Sequence, residues 1–424
     1  MANLRISFGE VDITPHFPVD LAGYGNRINP CLGILDPIFC TFILLEGEKR
    51  RALLLGFDLL AFGRGLRECL YPLLGRNGFS QEEIFPVATH THSAPSTGAL
   101  PYMGDTYKNW LKDISKRVAN KIKERSQSIE ERKLKVGKGE VDIALNRRTL
   151  PGWLPQRKEE GYVEKEFSVL FFDNLPLVNF TCHAVCLGGD NRFISADFPG
   201  RARVYLKSFL TTPAVFMANG TAGDQNPKER GIYGLENTGR KLAESVLSVY
   251  ETAEEVQADD IDYIHKLQSF PLAEPPSIEW LKDFIKEQEK GIENAPLPEQ
   301  IWRRSYIRWA SDTLRKVEEG NYEREVKGKI SLLRMGELVF LFLPGEVFSE
   351  IGKKAREIIR EKGFMPFVIG YYDQLIGYLP TASAFEEGGY EVSDAYRWYG
   401  YPAPFLPTVE DIILQTARDL LKKL

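Results

Sequence analysis

The stretch from Ile84 to Pro95 reads IFPVATHTHSAP, a short apolar run that leads directly into two histidines. The run predicts a buried β-strand over Ile84–Thr89, because it is short, apolar and bounded by turn-forming residues. Side chains alternate along a strand with a period of two, so His90 and His92 at its end are expected to point to one side. The sequence therefore predicts two imidazoles directed at one pocket.

Outward from this stretch, short apolar runs alternate with segments of helical periodicity. This interleaving predicts an α/β (mixed α+β) fold over residues 1–424, with central β-sheets flanked by helices. Other strands are predicted at Phe39–Leu45, Ala52–Asp58, Glu166–Phe172, Leu177–His183, Ala214–Ala218, Lys329–Arg334, Leu338–Leu343 and Pro366–Tyr371. Helices are predicted at Leu66–Leu74, Thr106–Ser126, Asn237–Glu254, Phe348–Lys362 and Val409–Lys423.

Residues 259–322 differ from the rest of the chain. They are rich in charge and in proline, and Trp302, Tyr306 and Trp309 follow a helical spacing. The pattern predicts a helical insertion in the main domain. A purely structural insertion, a lid over the site and a dimer interface are all compatible with it, and the sequence does not indicate the oligomeric state.

Composition narrows the class of protein. Lys and Arg number 54 against 59 Asp and Glu, a scattered and balanced charge that argues against a nucleic-acid partner. The first residues do not resemble a signal peptide, and no apolar run reaches the roughly 18 residues that a membrane span needs. Five cysteines in a long chain are typical of reduced thiols. We therefore expect a cytoplasmic protein that acts on a small molecule and not at a membrane.

Two further groups extend the histidine pattern. His183 ends the apolar segment LVNFTCH, and Glu346 ends the segment LPGE. Two histidines and a carboxylate with one open position form a known catalytic zinc set. Each signal has an alternative: a hydrogen-bonded loop pair for His90 and His92, a buried structural histidine for His183, and a helix N-terminal carboxylate for Glu346.

Nine motifs in order make the chain resemble the catalytic domain of the neutral/alkaline, non-lysosomal ceramidases. They are GEVDITP at Gly9–Pro15 with Gly23-Tyr24-Gly25, THTHSAP at Thr89–Pro95, Asn146-Arg147, NFTCH at Asn179–His183, ISAD at Ile194–Asp197, GDQNP at Gly223–Pro227, Pro344-Gly345-Glu346, Gly377-Tyr378 and Tyr390-Glu391.

The resemblance implies one zinc ion per chain and a set of residues around it. The implied metal ligands are His90, His183, Glu346 and Tyr378, and the implied supporting catalytic residues are His92, Arg147 and Tyr390. We assign His92 as a proton shuttle, Tyr390 as oxyanion donor or leaving-group acid, and Arg147 as an electrostatic anchor. Arg147 could instead pair with a structural carboxylate.

Three departures from the family bear on the substrate. Asn226 stands where the ceramidases have a serine with an assigned nucleophilic role, and an amide side chain forms no ordinary acyl-enzyme. Direct attack by metal-activated water is therefore expected, with Asn226 orienting water or substrate, or else capping the turn before Pro227. The C-terminal immunoglobulin-like domain and the secretion signal are expected to be missing.

The sequence thus predicts a zinc-dependent hydrolase that cleaves the amide (C–N) bond of a small polar metabolite rather than ceramide. Charged residues at Asp190–Arg192 and Lys228–Arg230 would suit such a substrate. Hydrolysis of an ester, a lactone or a C–C bond in a diketone or keto-polyol needs the same groups and stays open. A catalytically inactive metal- or ligand-binding protein is the alternative of another class.

Overall fold

A computed structural model describes residues 4–150, 161–258 and 260–424. Within these ranges the chain forms twenty β-strands and ten α-helices. The strands are β1 (Arg5–Asp12), β2 (Gly33–Ile34), β3 (Phe39–Glu46), β4 (Arg51–Phe57), β5 (Ile84–Ala88), β6 (Glu130–Glu131), β7 (Leu134–Glu140), β8 (Ala144–Asn146), β9 (Glu166–Phe172), β10 (Leu175–Phe180), β11 (Phe193–Ile194), β12 (Phe216–Asn219), β13 (Gln225–Pro227), β14 (Glu254–Glu255), β15 (Ile261–Pro271), β16 (Glu325–Met335), β17 (Leu338–Phe342), β18 (Glu346–Val347), β19 (Met365–Ile369) and β20 (Tyr378–Leu379). The helices are α1 (Arg64–Arg76), α2 (Lys108–Arg125), α3 (Asp197–Leu210), α4 (Gly231–Ser248), α5 (Ile278–Glu289), α6 (Leu297–Glu318), α7 (Ser349–Arg360), α8 (Ala382–Glu387), α9 (Tyr390–Ser393) and α10 (Val409–Leu421).

Three larger sheets form the centre of the molecule. Their strand orders are β5-β4-β3-β1-β6, β12-β10-β9-β7-β14 and β15-β16-β17-β19. One buried cluster contains Phe85 from the first sheet, Leu177 from the second and Phe340 from the third. The sheets therefore share a core, and the segments that leave β5, β10 and β17 approach one another.

The prediction of a mixed α/β fold is confirmed. Every strand and helix predicted above occurs, with ends that differ by a few residues in most cases and by six at both ends of α4. The core strands were predictable because they lie between layers: all five residues of β5 and all five of β17 are buried. A strand covered on both faces becomes a continuous apolar run, which is easy to find in a sequence.

The predicted helical insertion begins later than expected. Residues 261–271 form β15, which pairs with β16 over eleven residues, from Ile261 opposite Met335 to Pro271 opposite Glu325. The strand lies at the edge of its sheet and is only half buried, with Leu267 66% exposed, so it does not form an apolar run. The helical part is the pair α5 and α6. Residue 259, where the prediction started, lies outside the described residues.

Among the described residues, no helix combines the length and the apolar character needed to cross a bilayer.

Candidate metal centre

Three histidines converge at the meeting point of the sheets. The Nε2 atoms of His90 and His92 are 3.1 Å apart, and the ring centroids of His90 and His183 are 4.8 Å apart. One potential ligand atom from each of the three lies within 4.8 Å of the others. The structure therefore brings together the residues that the sequence placed at separate strand ends, in a group that could hold a metal ion.

His90 leaves β5 by a turn and not as a continuation of the strand. Its φ is +65°, in the left-handed region, and its backbone N–H donates to the carbonyl of Leu59 at 3.0 Å. Its Nδ1 lies 2.7 Å from the carbonyl oxygen of Leu60. A carbonyl only accepts, so Nδ1 carries the proton and the lone pair of Nε2 points into the cluster.

A buried ion pair fixes the segment that holds His90. Asp58 follows β4 and directly precedes Leu59. Its carboxylate accepts two hydrogen bonds from the guanidinium of Arg203, and the bond from Nη2 to Oδ1 is 2.7 Å long. The same carboxylate accepts the backbone N–H of Phe39 at 2.9 Å. Asp58 and Arg203 are both buried, and this bidentate pair holds α3 against the first sheet.

His183 is held in the same manner by different backbone groups. Its Nδ1 lies 2.5 Å from the carbonyl oxygen of Ala222, and its backbone N–H donates to the carbonyl of Gln225 at 2.9 Å. The lone pair of Nε2 again points into the cluster. Metal-binding histidines usually donate their second ring N–H to such an acceptor, which fixes the tautomer.

Glu346 supplies a carboxylate oxygen between these two rings. Its Oε2 lies 3.2 Å from Nε2 of His90 and 3.0 Å from Nε2 of His183. Ligands at 2.0–2.1 Å from a tetrahedral zinc ion are separated by roughly 3.3 Å, close to these distances. The donor set and its spacing therefore fit the metal that the resemblance implies.

Electrostatics favour the protonation states that a metal site needs. Burial lowers the pKa of His183 to about 4, and burial together with its two neighbouring imidazoles lowers the pKa of His92. Burial alone would raise the pKa of Glu346, but His90 and His183 hold it well below its usual value. The imidazoles of His92 and His183 are therefore neutral and the Glu346 carboxylate is charged near pH 7, as metal binding requires.

His92 differs from the other two histidines in its support. Its Nδ1 is buried and has no hydrogen-bond partner among the described residues. Its ring packs against Gly23, where a Cβ atom would lie 2.5 Å from the imidazole, and against the ring of Tyr24 at 5.0 Å. With neither nitrogen tied to the backbone, His92 is freer than His90 to change its tautomer. Its Nε2 nevertheless lies within reach of the same metal position.

Arg147 faces the cluster and is also paired. Its Nη1 lies 3.4 Å from Nε2 of His183, and its Nε donates to Glu391 at 2.8 Å. The second oxygen of Glu391 accepts from Arg148, also at 2.8 Å. Arg147 thus pairs with a buried carboxylate and faces the cluster at the same time, so the structure is compatible with both possibilities, electrostatic anchor and structural ion pair.

The two tyrosines of the resemblance lie beside the cluster. Tyr378 is opposite Glu346 in the parallel pair of β18 and β20, and the Arg147 guanidinium lies 5.0 Å from the centre of its ring. The ring of Tyr390 is 5.8 Å from that of Tyr378. These contacts place both rings beside the cluster, and neither assigns a ligand or an acid.

Asn226 lies in a strand and not in a turn. It is opposite Leu145 in the pair of β13 and β8 and is 6% exposed. The proposed turn cap before Pro227 is therefore wrong, because this backbone belongs to a β-pair. Its neighbour Gln225 supports His183 through the carbonyl described above, so Asn226 is one residue from that support.

Three contributing residues were not singled out by the sequence. Tyr399 donates a hydrogen bond to Oε1 of Glu346, Glu391 joins two arginines, and Tyr371 stacks on His90 at 4.2 Å. Glu391 had a signal, since it belongs to the motif Tyr390-Glu391. Tyr371 and Tyr399 had none, because no local pattern marks a tyrosine as the neighbour of a distant side chain.

A cleft of about 580 Å³ opens beside His92. Gly23 and Tyr24, which pack on His92, form one wall, and the start of α6 forms another. The other lining side chains include Asn26, Met103, Glu299, Trp302, Tyr390 and Trp398. The lining thus combines aromatic rings with glycine, proline and the polar side chains of Asn26 and Glu299. By contrast, the charged residues Lys228 and Glu229 form surface ion pairs with Asp142 and Lys241.

No protein-family profile matches the sequence, and no curated protein matches it either. Solved structures do match. The neutral ceramidase from Pseudomonas aeruginosa aligns with a TM-score of 0.73 and 17% identity over 99% of this chain and 74% of its own. A structure described as ceramidase complexed with C2 aligns with a TM-score of 0.73 and 16% identity over 100% of this chain and 76% of its own. The resemblance to the ceramidases is therefore confirmed for the fold.

Proposed function

We propose that the protein is a zinc-dependent hydrolase that cleaves an amide bond in a small polar substrate. The observation that carries this proposal is the convergence of the His90, His183 and Glu346 donors, with both Nδ1 atoms held by backbone carbonyls. His90, His183 and Glu346 would hold the ion, and Tyr378 is the proposed fourth ligand. The ceramidase fold supports hydrolysis of an amide.

A zinc ion held there would lower the pKa of water from about 15.7 to about 7 and polarise a substrate carbonyl. His92 would accept a proton from the attacking water and return it to the leaving nitrogen, since its Nδ1 is not tied to the backbone. Tyr390 would donate to the developing oxyanion or to the leaving group. Arg147, held by Glu391, would stabilise negative charge at the site, and Asn226 would orient water or substrate.

The size and lining of the cleft support a small substrate. Its volume of about 580 Å³ suits a compact molecule, and Asn26 and Glu299 offer polar contacts among aromatic rings. For this reason we propose that the substrate is a soluble metabolite. We also propose that the protein acts in the cytoplasm and has no membrane or nucleic-acid partner. The helical pair α5 and α6 would act as a lid, because the start of α6 forms one wall of the cleft.

A substrate panel tests this proposal. Purified protein should contain about one zinc per chain and hydrolyse at least one small amide, and a chelator should abolish the activity until zinc is returned. If the protein hydrolyses esters, lactones or 1,3-diketones but no amide, the proposed amide bond is wrong and the proposed metal centre stands. Bound zinc without activity on any class would favour a binding protein, and absence of zinc would reject the proposal. Asn226→Ala decides whether that side chain contributes to the rate.

A further inference from the structure

Glu346 has a second contact that the proposed reaction does not use. The hydroxyl of Tyr399 donates a hydrogen bond to Oε1 of Glu346, and both side chains are buried. We propose that Tyr399 is a positioning residue that holds the Glu346 carboxylate in its metal-binding orientation. This inference rests on the metal centre of the proposed function.

The two oxygens of Glu346 have different environments. Oε2 faces Nε2 of His90 and Nε2 of His183, whereas Oε1 faces the Tyr399 hydroxyl. The terminal torsion of a glutamate is broad, so nothing intrinsic to the side chain selects one orientation of the carboxylate plane. A donor on Oε1 supplies that selection, because rotating the carboxylate would break its hydrogen bond.

Tyr399 lies in a turn whose own contacts fix its position. Its backbone N–H donates to the carbonyl of Tyr396 at 3.2 Å, and its ring stacks on that of Tyr401 at 6.1 Å. The indole N–H of Trp309 in α6 donates to the carbonyl of Tyr401 at 2.8 Å. The turn is therefore tied to the helical pair, and the hydroxyl does not have to be ordered when metal binds.

Groups that hold a metal-ligating carboxylate or imidazole typically contribute a factor of 10–100 in metal affinity. For Tyr399→Phe we expect zinc to bind about 10–100-fold more weakly, with one ion still bound per chain at saturation. The ring is retained, so the packing against Tyr401 should persist. The matched control is Tyr401→Phe, which removes a hydroxyl from the same turn but none from Glu346, and its zinc affinity should stay within about two-fold of wild type.

The experiment uses the full chain after zinc removal, with zinc titrated against a chromophoric chelator and thermal unfolding measured for each apo variant. Replacing zinc by Co²⁺ gives a second measurement, since the visible spectrum should change in Tyr399→Phe and not in Tyr401→Phe. Unchanged zinc affinity of Tyr399→Phe would overturn the inference and leave the proposed function intact. Equal losses in both variants would overturn it as well, by assigning the effect to the turn. Failure of the wild type to bind zinc would remove the proposed function and this inference together.

Discussion

His183 and His265 are two histidines of one chain in opposite situations. His265 lies in β15, and both of its ring nitrogens have ordinary partners: Nδ1 lies 2.6 Å from the Ser331 hydroxyl and Nε2 lies 2.8 Å from the carbonyl oxygen of Glu82. His183 has one nitrogen on the Ala222 carbonyl, while the other faces a carboxylate and a guanidinium.

The difference shows what makes a histidine available for chemistry. Burial does not decide it, because His265 is also largely covered and packs on the ring of Phe85 at 5.3 Å. The deciding feature is a ring nitrogen that faces other possible metal ligands, here the Glu346 carboxylate and the His90 ring. His183 has such a nitrogen, and His265 has none.

The largest expected effect separates the two histidines by metal content. His183→Ala should lose bound zinc, and with it at least about 10³-fold in the rate of hydrolysis, because the groups that stabilise the transition state are lost together. His265→Ala should keep one zinc per chain and an activity near that of wild type. Metal analysis and initial rates measure both, and equal zinc content in the two variants would contradict the comparison.

His92→Ala refines the comparison within the cluster. If His92 moves protons and is not required for metal binding, this variant should retain zinc but lose about 10²–10³-fold in rate. The measurement is the rate per bound zinc, which separates lost metal from lost proton transfer. A variant that loses zinc to the same extent as His183→Ala would instead make His92 a ligand.

Removal of zinc should destabilise the protein through the cluster alone. A ligand that binds only the folded state at about 100 times its Kd contributes about 2.7 kcal/mol to the free energy of unfolding. The Tm of wild type and of His265→Ala should therefore fall on addition of a chelator, whereas the Tm of His183→Ala should not change. A chelator response in His183→Ala would indicate a second metal site.

His265→Ala should have a modest and purely structural cost. It removes the hydrogen bonds to Ser331 and to the Glu82 carbonyl, and one such bond contributes about 1 kcal/mol net. We expect the free energy of unfolding to fall by about 1–2 kcal/mol in a urea titration of the metal-loaded protein. No change at all would show that these contacts do not stabilise the sheet edge.

The smallest effect is a pH dependence. Burial lowers the pKa of His265, so the folded state favours the neutral ring, and this contribution is present above the ordinary pKa near 6.5 and is lost as pH falls below it. The Tm of wild type should therefore fall relative to His265→Gln between pH 7.5 and 5.5, by about 1 °C for a chain of this size. A constant difference would mean that the ring titrates equally in both states.

Much of the architecture could be predicted from local patterns. Ile84–Ala88 and Leu338–Phe342 are strands buried on both faces and therefore read as apolar runs. The edge strand Ile261–Pro271 was missed because half-exposed residues in a charged segment do not form such a run. Pairing across a sheet edge depends on a partner far along the chain, and no local pattern contains it.

For the site, the sequence determined which residue types were present and in which segments: His90, His92, His183 and Glu346, each placed at a predicted strand end. The tertiary structure decided how they are used. The tautomers of His90 and His183 depend on the carbonyls of Leu60 and Ala222, and backbone carbonyls carry no sequence signal. The hydrogen bond from Tyr399 to Glu346 joins residues that are 53 positions apart in the chain. Only the packing of the helical pair and the sheets brings the turn that holds Tyr399 to Glu346.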